Sequence, residues 1–203
     1  KTAIAALAAS ALLLTPTAAY ADHNHLGISA SSERGMTWGH HSGMLTDYRT
    51  NPDPAKYPDV KPDIFKGAKA SAVMIGMNGK SFFRLSVSGI DAKDGVYGVH
   101  LHQGVCDAKS YDAALGHYAV EWNTIDGLQG PDIRKTEVWL DLDVNSDGDA
   151  RSTATVSFIP EGNRSIVLHA LPTLREPDEN KNPAGYAGPR LACLPFKIKQ
   201  YGN

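Results

Sequence analysis

Thiols are scarce in this chain: 203 residues carry only two cysteines, Cys106 and Cys193. A cysteine-built zinc module needs more sulfur than that. An excess of either charge is also missing. Twenty Lys plus Arg stand against 22 Asp plus Glu, a net charge of −2. That balance argues against a basic nucleic-acid binder. Beyond the N-terminus no apolar run is long enough to cross about 30 Å of hydrocarbon, and no amphipathic helix of good length appears. The expectation is no nucleic-acid partner and no membrane partner. What is plentiful is glycine and proline, 19 and 12 residues, which with few aromatics suits a turn-rich β fold. Histidine is the unusual count, at eight.

The N-terminus reads KTAIAALAASALLLTPTAAYA. Lys1 is a minimal positive region, Ile4 to Leu14 a short apolar region, and Ala19-Tyr20-Ala21 a small-x-small cleavage site. Residues 1–21 are expected to be a secretory signal, with a mature chain beginning at Asp22. The expected location is secreted, extracellular or periplasmic. Two cysteines can pair and stay paired there.

From Asp22 to Lys66 there is little periodicity, and Pro52, Pro54, Pro58 and Pro62 punctuate the segment. It reads as an extended, flexible N-terminal arm. Period two begins near Ala68. Phe83, Leu85 and Val87 alternate with polar residues in 80–89, as do Tyr97, Val99 and Leu101 in 97–102. Similar alternation runs through 137–144, 153–159, 165–170 and 191–198. Half-buried strands between Gly, Asp and Pro turns predict an all-β antiparallel sandwich or barrel over 67–203.

His100-Leu101-His102 lies on one such strand. Alternation puts both imidazoles on one face and Val99 and Leu101 on the other. Two histidines so placed can reach one metal ion, and imidazole suits copper, zinc, iron or nickel. They could equally be surface histidines on a polar strand face. His169 lies on the 165–170 strand, on the side of Ser165 and Val167. A third histidine near the pair would complete a ligand set, although the sequence does not show that the strands are neighbours.

GVHLHQGVC, Gly116-His117-Tyr118, SIVLHAL and AGPRLAC occur in this order. Together they resemble the copper/zinc superoxide dismutase family, across Gly98 to Phe196. The resemblance implies a Greek-key β-sandwich or barrel and copper ligands at His100, His102 and His169. It implies His117 as the bridging histidine, a disulfide between Cys106 and Cys193, and Arg190 as the guide for the anion. Family members often pair through β surfaces, so a homodimer is open here.

The chain departs from the family at the zinc site. Between His117 and His169 there is no further histidine. Asp141 lies near where the family's aspartate would fall, but one carboxylate and one imidazole make a poor zinc site. Copper without structural zinc is expected. His23, His25, His40 and His41, with Met36 and Met44, add an accessory copper-collecting role to the arm, or simply solvated side chains. The expected activity is superoxide dismutation. The rival is a copper-binding or copper-delivery protein on the same fold. Arg190 argues for the enzyme, because storage needs no anion guide.

Overall fold

Alternating apolar residues build the core as the period-two reading expects. In the strand Lys80–Ser88, the buried side chains are Ser81, Phe83, Leu85 and Val87, with Lys80, Phe82 and Arg84 outside. The computed structural model describes residues 35–48, 52–92, 94–121 and 133–201. The signal-like residues 1–21, and His23 and His25, lie outside them.

The strands are β1 (Thr37–Met44), β2 (Thr46–Asp47), β3 (Lys69–Met77), β4 (Lys80–Ser88), β5 (Val96–Tyr97), β6 (Val99–His102), β7 (Leu142–Asp143), β8 (Ala150–Val156), β9 (Gly162–His169) and β10 (Arg190–Gln200). Short helical turns occur at Tyr111–Ala114 and Ile133–Thr136. The main sheet runs β6-β9-β10-β1-β3-β4-β8, with β2 paired to β10. All its pairings are antiparallel, and it curls into a half-barrel. β5 and β7 make a separate small ladder. The all-β antiparallel architecture is thus what the alternation predicted.

The N-terminal arm needs correction. Residues 37–44 are not an arm but β1, an interior strand paired with β3 along its whole length and with β10 at its start. Its inward positions are Thr37, Gly39, His41 and Gly43, so no apolar alternation announces it. At Gly39 a neighbour fills the space: a Cβ there would lie 2.8 Å from Phe196 Cζ. Residues 53–67 form turns, and Ile64 and Phe65 enter the core beside Leu45 and Ala68. The ordered domain therefore begins well before 67.

The predicted strand 137–144 is a looser structure. Val138, Leu140 and Leu142 are fully buried as expected. Around them only the short β7 and isolated bridges at Glu137 and Trp139 form. This segment lies along β6, where Leu101 N–H donates to Val138 O and Leu140 N–H to Val99 O.

Candidate metal centre

β6 and β9 are neighbours, with His100 opposite Val167 and His102 opposite Ser165. Val99, Leu101, Ile166 and Leu168 point into the core. The histidines consequently share the other face. His169 ends β9, and its N–H donates to Gly98 O at 2.9 Å. His117 bridges backbone to backbone with His102. One ligand atom from each of His100, His102, His117 and His169 lies within 4.8 Å of all the others. Four residues spread over 70 positions of sequence thus meet in one cluster. Three are buried, and His117 keeps 21% of its side chain exposed.

Each imidazole is held by its outer nitrogen. His102 Nδ1–H donates to Leu115 O at 3.0 Å, and His169 Nδ1–H donates to Gly188 O at 3.0 Å. A carbonyl only accepts, so these two rings must carry their proton on Nδ1. His117 Nδ1–H donates to Glu137 Oε2 at 2.9 Å, which fixes its tautomer too. The Thr173 hydroxyl donates to Asp141 Oδ1 at 2.6 Å. Its oxygen is then free to accept from His100 Nε2–H at 2.8 Å.

The four inner nitrogens are therefore lone pairs. They are His100 Nδ1, His102 Nε2, His117 Nε2 and His169 Nε2. His100 Nδ1 lies 3.0 Å from His117 Nε2, and His102 Nε2 lies 3.3 Å from His169 Nε2. With every ring neutral, no hydrogen remains to place between them. Such contacts repel unless a cation sits among the lone pairs. Burial also keeps His100, His102 and His169 neutral, as metal ligands must be. Loss of hydration holds His102 down to about 2 and His169 down to about 3, and pushes His100 well below its ordinary value. The neighbouring histidines add to this, as does Arg190 at His102 and His169. The donor set fits a metal ion.

The local chain is shaped to deliver these contacts. Leu115 takes φ 58°, a region that leucine seldom adopts, and so aims its carbonyl at His102. Gly98 leaves room for Thr173, whose Oγ1 would lie 2.6 Å from a Cβ there. The Cys106–Cys193 disulfide, with Cα atoms 5.8 Å apart, ties the loop after His102 to β10. It packs with Tyr48, Ala114 and Val167. A stable disulfide suits a non-reducing compartment.

Arg190 stands opposite His169 in the β9–β10 ladder, and the register shifts between Arg190 and Ala192. Such a bulge re-aims side chains next to sites. Its Nη1 donates to Tyr111 O at 2.9 Å, and its charge is felt at His102 and His169. His40 and His41 are elsewhere, on β1. Among the described residues only the four clustered histidines form a group able to hold a metal.

The sequence reading missed Glu137 and Thr173. Glu137 accepts both His117 and the Trp139 indole N–H, the latter at 2.7 Å. Its signal was available, because Glu137, Trp139 and Asp141 share the face opposite Val138 and Leu140. Thr173 has no signal, lying in a loop whose path the sequence does not fix. Asp141 is engaged by Thr173 and by Arg175, whose Nη2 donates to Oδ2 at 2.7 Å.

The fold and the site define an all-β, disulfide-bonded protein with a four-histidine centre, three of its rings buried, fit for a metal ion. No protein-family model matches the chain, and no curated protein matches it either.

Proposed function

We propose that this protein is an exported, copper-dependent superoxide dismutase, built on the Greek-key β-sandwich of the copper/zinc family and working without structural zinc. The observation that carries the reading is the meeting of four imidazole lone pairs with Arg190 placed opposite His169.

An all-imidazole donor set suits copper, and neutral rings bind it without competing protons. Copper held by His100, His102, His117 and His169 would supply one-electron chemistry, oxidising one superoxide to oxygen and reducing a second, with two protons, to hydrogen peroxide. The chain's own residues prepare the rest. Arg190 is a fixed positive charge that attracts the small anion and orients it. His117 would be the ligand nearest solvent, with 21% of its side chain exposed. Glu137 holds its Nδ1 and so orients Nε2 toward the cluster. That carboxylate stands at the nitrogen where the family resemblance would put zinc. It supports a one-metal site.

The test separates enzyme from copper carrier. Superoxide decay is followed by stopped flow for the copper-loaded protein and for Arg190→Ala. The reading expects fast decay that slows by about tenfold or more in the variant, with copper still bound. Tight copper binding with no decay above free buffer assigns the chain to metal delivery instead.

A further inference from the structure

The outward face of β10, β1, β3, β4 and β8 is unlike the rest of the molecule. The register aligns Lys199 with Trp38, Trp38 with Ile75, Ile75 with Phe82, and Phe82 with Thr155. This row crosses the sheet as neighbouring side chains on one side. Ile75 is 49% exposed and Phe82 44%. Exposed Met77 and Met36 flank it, and Tyr201 stacks on Trp38 at 5.9 Å between ring centroids. Soluble domains seldom leave such a contiguous apolar strip open without a use for it.

The charge of the same face is one-sided. Its outward strand positions hold Lys69, Lys80, Arg84, Arg151, Lys197 and Lys199, and no Asp or Glu. Carboxylates stand only at its ends, as Asp149 before β8 and Glu161 before β9. For a chain of net charge −2 this segregation is marked. At one end lies a depression of about 490 Å³ lined by serines of β1, β3 and β4, with Lys69, Arg151 and Asp149 at its walls.

We propose that this face docks the protein on the surface of a bilayer of anionic phospholipid, with Trp38, Ile75 and Phe82 at headgroup depth. Charge complementarity selects the occupant. A second copy would set six cations against six across a two-fold axis. An anionic bilayer meets the cations with phosphate and the strip with the outer acyl region, where tryptophan and tyrosine are favoured. A single-stranded nucleic acid needs open aromatic faces for stacking. Here Tyr201 covers one face of Trp38, Lys199 lies 5.7 Å from its ring centroid, and the neighbours Ile75 and Met77 cannot stack. The expectation of no membrane partner followed from the lack of a spanning run, and a peripheral face leaves no such run. Three of the clustered histidines lie on β6 and β9 and His117 in the loop after β6, on the other side of β10 from the strip of Trp38, Ile75 and Phe82 on β1, β3 and β4. The proposal is independent of the metal's identity.

The experiment is vesicle co-sedimentation of the full chain, with phosphatidylcholine alone and with phosphatidylcholine plus about one-third phosphatidylglycerol. The apolar N-terminal run is present in every sample, so the readout is the difference between vesicle types and between variants. Preferential binding to the phosphatidylglycerol vesicles, weakening as salt rises, is expected. Arg84→Glu with Lys199→Glu should lose about 25-fold or more, at about fivefold per cation removed. Lys80→Glu with Arg151→Glu provides a second pair at exposed positions should the first pair unfold. Trp38→Ala should weaken binding without abolishing its salt dependence. Equal binding to both vesicle types overturns the proposal. So does undiminished binding by folded charge-reversed variants. Tighter binding of a single-stranded oligonucleotide through the same residues, or self-association through this face, overturns it in favour of that partner.

Discussion

His117 Nδ1 donates to Glu137 Oε2 at 2.9 Å, and this one contact fixes which nitrogen of His117 faces the cluster. Outer-sphere partners of this kind typically change metal affinity 10- to 100-fold when removed. Glu137→Ala should therefore weaken metal binding by about that factor. Glu137→Gln, which keeps an acceptor oxygen, should recover part of the loss. Competition titration against a chelator of known affinity measures both, with circular dichroism to show that each variant is folded.

Thr173 does the same for His100 through its oxygen, while its own proton goes to Asp141. Thr173→Val removes the acceptor and leaves His100 free to change tautomer. Metal affinity should fall by about tenfold or more. Thr173→Ser should restore it, because only the hydroxyl is needed. The same titration checks this pair, and failure of serine to rescue would mean that Thr173 acts only by packing.

Acid should destabilise the metal-free protein early. His102 and His169 titrate normally when unfolded, near 6.5, but are held down to about 2 and about 3 when folded. Below 6.5 the unfolded chain binds more protons than the folded one. Their contribution is intact above pH 6.5 and is lost as pH falls toward 3. The slope is about 1.4 kcal/mol per pH unit for each ring. Urea midpoints between pH 7.5 and 4.5 measure it. Replacing His169 by Gln should flatten the slope by about one ring's worth.

The Cys106–Cys193 bond closes a sequence separation of 87 residues. In the chain-entropy model a loop of that size contributes up to about 4–5 kcal/mol. Cys193→Ser with Cys106→Ser should lower stability by about 2–5 kcal/mol. It should also loosen the turn that carries Leu115 O, and so weaken metal binding. Denaturant melts with and without reductant measure the first effect, and chelator competition the second.

Much of this was legible in the sequence, and the reasons are local. Alternation in 80–88 and 99–102 fixed which side chains face the core, because buried strand faces demand apolar residues. That His100, His102, His117 and His169 come together was anticipated by ordered motifs rather than by any one histidine. β1 was illegible because its inward positions are Thr37, Gly39, His41 and Gly43, with Phe196 supplying the bulk at Gly39. Thr173 was illegible because its role depends on a loop path and on the absent Cβ of Gly98. Glu137 could have been read from its face, but a carboxylate on a strand is usually just solvated.

The most direct test of the central claim is superoxide decay catalysed by the copper-loaded, zinc-free protein beside His169→Ala. Fast decay by the wild-type protein, lost in the variant together with tight copper binding, is the predicted result. Decay that is unchanged in the variant, or absent from a wild-type protein shown to hold copper, would contradict it.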